Sequence, residues 1–247
     1  MAVQTKSGSI FSAAELLRSK GASEVLAWAD AQFGASAAIA ASFGVEDVAL
    51  IDLASRSAPR LRVFTLDTGR LPSETYEVME EVRRRYGISI ETYFPDRAKV
   101  EQLEREKGFF SFRRSVPERQ ECCAIRKLEP LSRALSGASA WITGLRREQS
   151  VTRLGVEVAE IDAAHGGILK LNPLWAWTEA QVWEYAREHA LPVNALHARG
   201  YPSIGCAPCT RAVAPGEDVR AGRWWWESPE HKECGLHSRR SPAPEGR

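Results

Sequence analysis

Ala35-Ser36-Ala37-Ala38-Ile39-Ala40-Ala41-Ser42-Phe43-Gly44-Val45-Glu46-Asp47-Val48-Ala49-Leu50 is the stretch that decides the fold. The apolar run from Ala35 to Phe43 reads as a buried strand, a Ser and Gly turn follows, and Glu46 to Arg56 then takes up helical spacing. The same alternation continues outward. Leu61 to Leu66 reads as a strand, Ser73 to Tyr86 as an amphipathic helix and Ile88 to Phe94 as a strand. Strands that alternate with helices imply right-handed crossovers, so the fold class is α/β with a mainly parallel sheet. Upstream, Leu16, Leu17, Val25, Leu26 and Trp28 suggest two short helices interrupted near Gly21. Downstream, the spacing predicts a charged helix around Ala98 to Lys107, a helical segment over Glu121 to Leu135, a strand at Ala140 to Gly144 and a helix over Glu179 to His189.

A chain of 247 residues, 44% hydrophobic and 26% charged, is long enough to bury a substantial core. With 33 Lys and Arg against 32 Asp and Glu, the formal net charge of +1 provides no overall field to hold nucleic acid or an anionic membrane. Any anion site must therefore be local. Apolar stretches such as Ala37 to Phe43 fall far short of the roughly 20 residues that span a bilayer, and Met1 to Phe11 carries no secretory apolar segment, so a cytoplasmic protein is expected. Beyond Pro192 the periodic pattern gives way to Gly, Pro, Cys and three consecutive tryptophans. Two parts are expected: an α/β domain over 1–199 and a functional C-terminal segment over 200–247.

Open parallel sheets bind ligands beyond the carboxyl ends of their strands. The loops to watch are Ser42-Phe43-Gly44-Val45-Glu46-Asp47, Asp67-Thr68-Gly69-Arg70 and Thr143-Gly144-Leu145-Arg146-Arg147. A small-residue turn entering a helix offers backbone amides and a positive dipole end to a phosphate. Glycine patterns for a nicotinamide cofactor or a Walker-type ATPase are absent, so another nucleotide is expected.

The five cysteines are an odd count, which disfavours a pure disulfide framework. Cys122 and Cys123 are adjacent, and Cys206-Ala207-Pro208-Cys209 forms a C-x-x-C pair. A structural zinc site usually takes each pair from cysteines two to four residues apart, because neighbouring side chains diverge. A 4Fe-4S cube instead needs one thiolate at each of four separate irons, which adjacent cysteines can supply. The cluster is favoured over zinc and over spare thiols. Lys127, one helical turn beyond Cys123, could offset cluster charge and reach an anionic ligand. Cys234 stands apart, flanked by His231, Lys232 and His237, whose positive charge suits a nucleophilic thiolate.

The paired Cys122-Cys123, Cys206 and Cys209, Arg220-Ala221-Gly222-Arg223-Trp224-Trp225-Trp226-Glu227, and Glu233-Cys234-Gly235-Leu236-His237 resemble the assimilatory adenylyl-sulfate reductases of the phosphoadenylyl-sulfate reductase family. Leu66-Asp67-Thr68-Gly69-Arg70-Leu71-Pro72 and Thr143-Gly144-Leu145-Arg146-Arg147-Glu148-Gln149-Ser150 extend the resemblance to nearly the whole chain. It implies a Rossmann-like adenine-nucleotide domain, a 4Fe-4S cluster on the four cysteines, and thioredoxin-dependent (or glutaredoxin-like) reduction of adenylyl sulfate to sulfite and AMP. Cys234 would be the nucleophile that carries an S-sulfo intermediate. Lys127, Arg153, Arg220, Arg223 and His237 match the family's substrate-binding positions, and Ser42, Phe43, Gly44, Leu66 and Gly144 would hold the nucleoside. The loop Ser150-Val151-Thr152 is about one residue shorter than in some relatives, so Arg146 or Arg147 could replace Arg153.

The related ATPases of the family carry a fuller Ser-Gly-Gly-x-Asp-Ser loop, and Ser42-Phe43-Gly44-Val45-Glu46-Asp47 departs from it in a way that suits a substrate without pyrophosphate. A reductase of the 3'-phosphorylated substrate, or of both substrates, is the alternative, although those relatives generally lack the four cysteines. An RNA-thiolating or RNA-binding protein is a further reading, disfavoured by the neutral charge. Symmetric self-assembly into a homo-oligomer is compatible with an enzyme of this size.

Overall fold

The computed structural model describes residues 13–149, 153–228, 231–232 and 235–236. Its elements follow the alternation of the sequence: α1 (Ala22–Phe33), β1 (Ala37–Ala40), α2 (Val45–Ser57), β2 (Arg62–Leu66), α3 (Ser73–Tyr86) and β3 (Ile90–Tyr93). Then come α4 (Arg97–Lys107), α5 (Val116–Cys123), α6 (Glu129–Ala134), β4 (Ala140–Ile142), β5 (Ala159–Asp162), β6 (Ile168–Leu171) and α7 (Glu179–Glu188). The six strands lie in the order β3-β2-β1-β4-β6-β5, parallel except that β5 runs antiparallel to β6.

Because successive side chains of a strand point to opposite faces, β1 supplies both cores. Ile39, with Ile142 and Leu171, packs against Val25, Leu26, Val48, Ile51, Val82 and Val182 from α1, α2, α3 and α7. Ala38, with Phe64 and Trp141, faces Leu131 and Ala134 of α6 on the other side. Burial on both faces explains why β1 reads as a continuous apolar run rather than an alternating one.

The region 145–178, which carries no clear periodicity, holds β5 and β6. Each is four residues long, and Glu160, Asp162 and Lys170 break their apolar pattern, so neither produces a signal of useful length. The single helical segment expected over Glu121 to Leu135 is instead divided. Helix α5 starts at Val116, where the Ser115 hydroxyl accepts from the Glu118 amide, and a π-helical turn over Ala124–Leu128 separates it from α6. That turn precedes Pro130, which has no amide hydrogen for the Arg126 carbonyl.

From β1 the chain passes to β2 and β3 on one side and reaches β4 on the other. The strand order therefore reverses between β1 and β4, and the loops leaving their carboxyl ends diverge to form a crevice. No described helix is long and apolar enough to cross a membrane.

Candidate active site

A cavity of about 560 Å³ occupies this crevice. Ser42, Gly44, Leu66 and Gly144 line it together with the cations Lys127, Arg153, Arg220 and Arg223, so the sequence-expected positions converge on one cavity. Phe43 is different. Its ring is buried in the core and its backbone lies in the left-handed region at φ 60, so only its main chain belongs to the turn. His237 and Cys234 lie outside the described residues.

The β1 turn is occupied by its own chain. The Asp47 carboxylate accepts from the Ser42 amide at 2.6 Å, the Ser42 hydroxyl at 2.7 Å and the Phe43 amide. Burial, together with the Glu46 charge, raises the Asp47 carboxyl to about 6 in spite of these bonds. The Ser42 and Phe43 amides are therefore engaged by Asp47, while Ser42 and Gly44 line the cavity. Gly144 is required at the adjoining β4 turn, because a β-carbon there would lie 2.6 Å from Asp47 Oδ1 and 2.9 Å from Glu46 Cβ.

The ion pairs set Arg147 apart from the other two arginines of the β4 loop, since Arg146 and Arg153 both line the cavity. Arg146 donates from Nε and Nη2 to Glu46 Oε1, and Arg147 pairs with Glu157 and lies 4.2 Å from the centre of the Trp175 ring. Arg153 lines the cavity and donates to Gln149 Oε1, while Gln149 Nε2 donates to Glu46 Oε1. Glu46, Arg146 and Gln149 brace Arg153, a role that spacing alone did not reveal.

A second, smaller pocket is lined by Cys122, Cys123, Cys206 and Cys209 with Arg70, Arg126 and Lys127. Cys122 and Cys123 come from the end of α5, and Cys206 and Cys209 flank a helical turn whose Ala207 amide donates to the Arg70 carbonyl. The loop Asp67 to Arg70, expected to serve a phosphate, mainly buttresses this pocket. The Thr68 hydroxyl and the Cys206 thiol share a hydrogen bond of 3.2 Å, and the Thr68 carbonyl accepts from Arg126.

The thiols experience opposing fields. Burial pushes Cys122 up, and burial with the negative charge of Cys206 and Cys123 pushes Cys209 up to about 12. Burial also acts on Cys206, but the Lys127 charge, the Thr68 hydroxyl and Arg223 and Arg126 outweigh it and leave that thiol below its ordinary value. Arg126 Nε and Trp226 Nε1 are buried donors with no acceptor among the described protein atoms, and Trp226 packs beside Cys122 and Cys209. Four thiols beside arginines and unpaired donors are the kind of donor set that an anionic sulfur-ligated group takes, although among the described residues no three Cys, His, Asp or Glu lie close enough to hold a single metal ion.

The C-terminal segment closes over both spaces. Arg119, 1% exposed, forms a two-pronged pair with Glu227 at 2.9 Å and 2.9 Å and also donates to the His231 carbonyl. Trp224, at φ 39, lies beneath the Arg119 and Arg223 guanidiniums at 4.9 Å and 4.7 Å. Leu236 lines the large cavity and packs on the Phe64 and Trp141 face of the sheet. Lys127, Cys206 and Trp224 line both spaces, so a common wall separates the large cavity from the thiols. The Arg119 and Glu227 pair is 108 residues apart in sequence, which is why no local motif signals it.

Fold and site together define an α/β nucleotide-binding protein with a thiol-lined annex. The phosphoadenosine phosphosulfate reductase domain family matches residues 36–212, and the chain belongs to that family. An adenosine 5'-phosphosulfate reductase of Allochromatium vinosum is 56% identical over 204 residues, covering 83% of this chain and 79% of that one. The chloroplastic 5'-adenylylsulfate reductase 3 of Arabidopsis thaliana is 50% identical over 222 residues, which cover 87% of this chain and 48% of that longer one. Among solved structures, a phosphoadenylyl-sulfate reductase of Candida auris, a phosphate complex, superposes with a TM-score of 0.72 at 28% identity, covering 86% of this chain and 100% of that one.

Proposed function

We propose that the chain reduces adenylyl sulfate to sulfite and AMP in sulfate assimilation. The observation that carries this reading is the wall of Lys127, Cys206 and Trp224 shared by the nucleotide cavity and the four-thiol pocket. The relatives named adenosine 5'-phosphosulfate reductase support the same substrate.

The nucleoside would lie against Ser42, Gly44, Leu66 and Gly144, with its phosphate and sulfate toward Lys127, Arg153, Arg220 and Arg223. His237 would add to that end. Those cations neutralise the two anionic groups, so an approaching thiolate meets less repulsion and the departing phosphate is stabilised. In the proposed reaction the Cys234 thiolate attacks the sulfate sulfur and the sulfur-oxygen bond to the phosphate breaks. AMP then leaves with the electron pair, and Cys234 carries the sulfonate. A dithiol protein, thioredoxin or a glutaredoxin-like relative, attacks the Cys234 sulfur and expels sulfite with the bonding pair. Its second thiol resolves the mixed disulfide and regenerates Cys234, so the partner supplies the two electrons.

Cys122, Cys123, Cys206 and Cys209 would hold a 4Fe-4S cluster. When bound, the cluster supplies a fixed, thiolate-ligated charge centre beside Lys127. A reducing cytoplasm, part of the same proposal, keeps these thiols available.

The test is to incubate anaerobically purified protein with adenylyl sulfate, and separately with its 3'-phosphorylated analogue, without a reductant, and to measure intact and peptide masses. A sulfonate on Cys234 from the first substrate alone is expected. Adducts from both broaden the substrate, and no adduct on cluster-loaded protein overturns the covalent mechanism.

A further inference from the structure

Arg119 is buried, lines the thiol pocket and has no part in the proposed reaction. It lies one helical turn before Cys123 on the same face of α5, and the Cys123 thiol is one of its hydrogen-bond partners. Its Nε and Nη2 are held by the Glu227 carboxylate, Nη2 also donates to the His231 carbonyl at 2.7 Å, and the centre of the Trp224 ring lies 4.9 Å away. A single guanidinium therefore joins a pocket thiol to Trp224, Glu227 and His231. The carbonyl of the next residue, Lys232, accepts from Arg220 Nη2 at 2.7 Å, and Arg220 lines the large cavity. Backbone just before Cys234 is thus held between one cation of the thiol pocket and one of the cavity.

We propose that Arg119 is a positioning residue: it couples occupation of the thiol pocket to docking of the segment that leads to Cys234. Burial opposes the Arg119 charge, and Glu227 and Cys123 outweigh that cost. A thiol that becomes a thiolate ligand gains negative charge and is a stronger acceptor. Because a guanidinium is planar and carries its donors in a fixed fork, an acceptor that holds one edge sets the direction of the others. Filling the pocket therefore presents Nε and Nη2 to Glu227 and His231 in one orientation, whereas in iron-free protein the segment alone must set it. The ammonium of a lysine keeps the charge but lacks the fork, so it cannot serve both sides in this way.

This role rests on the cluster reading of the thiol pocket, and the iron content of the protein separates the two. Backbone hydrogen exchange at the His231 amide, which donates to the Ser228 carbonyl at 3.1 Å, is compared between cluster-loaded and iron-stripped protein under reducing, oxygen-free conditions. In wild type, loading is expected to slow this exchange about tenfold or more, and in Arg119→Lys that still shows iron-sulfur absorbance the slowing should shrink to less than about twofold. Glu227→Gln cuts the same link from the segment side and should shrink it equally. A residue that merely anchors the segment would lower protection by the same factor in both forms and leave the effect of loading at about tenfold. Wild type whose His231 exchange ignores loading overturns the proposal, as does either folded variant that keeps the full effect. If Arg119→Lys does not fold or holds no cluster, Glu227→Gln decides the outcome. Wild type that takes up no iron overturns the cluster reading and this coupling with it.

Discussion

The β1 and β4 turns of the large cavity and the neighbouring thiol pocket solve their electrostatics in opposite ways. Around the β1 and β4 turns the polar groups satisfy one another: Asp47 takes the loop amides, Glu46 takes Arg146 and Gln149, and Gln149 takes Arg153. In the thiol pocket, burial raises Cys209 to about 12 and the Arg126 and Trp226 donors have no acceptor among the described protein atoms. A ligand entering the first region finds a shape fixed in advance, and an anionic group entering the second removes a cost the protein bears alone. On the proposed reading, the β1 and β4 turns discriminate among ligands and the thiol end is completed by the group it holds.

The strongest way to break the comparison is to remove one thiol from each class. Cys234→Ser is expected to lower sulfite release by about 10⁴-fold or more while leaving visible iron-sulfur absorbance intact, whereas Cys122→Ser is expected to abolish the absorbance. A bleached Cys234→Ser protein would show that the cysteines have been divided wrongly.

Next in size is the buried pair that anchors the C-terminal segment. Glu227→Ala removes the only carboxylate paired with buried Arg119 among the described residues and should cost about 3–5 kcal/mol in denaturant unfolding. Glu91→Ala, which removes the partner of the half-exposed Arg62, should cost less than about 1 kcal/mol. Equal losses would mean that the segment is not held by this contact.

The shared wall supplies a smaller, kinetic effect. Lys127→Ala removes one charge-assisted interaction of about 1.5–3 kcal/mol, so kcat/KM should fall about 10- to 100-fold. Absorbance maxima should shift as well, because Lys127 lines the thiol pocket. A change in KM with an unaltered spectrum would confine the lysine to the nucleotide side.

The mildest test is titration of the nucleotide end. The Asp47 carboxyl is raised from 3.8 to about 6, so the folded state binds more protons than the unfolded state between these values. Its contribution therefore makes stability fall as pH rises through that window, with a slope no steeper than about 1.4 kcal/mol per pH unit. Asp47→Asn should flatten urea-derived stability between pH 4 and pH 6 relative to wild type. An unchanged slope would remove Asp47 as its source.

Much of this was legible in order along the chain. The helix read from Ser73 to Tyr86 has those bounds, and the predicted strands at Ala35 to Phe43 and Leu61 to Leu66 contain β1 and β2. Long periodic elements carry their burial pattern within themselves. Four-residue β5 and β6 do not, since their pairing with β4 and with each other is a property of the sheet. The π-helical turn that sets Lys127 in the common wall was read only as continuing helix, although Pro130 was the available signal.

The sequence by itself determined the alternating α/β order, the two pairs of cysteines and the identity of the cationic positions, because these depend on residue type and spacing. Only the tertiary structure decided that Arg147 turns to Glu157 while Arg146, held by Glu46, and Arg153, held by Gln149, both line the cavity, that Asp47 fills the β1 turn, and that Arg119 ties Cys123's helix to Glu227. The physical reason is distance. Charges and hydrogen-bond donors choose partners within a few ångströms in space, and across a reversed strand order those partners lie up to 108 residues away in the chain.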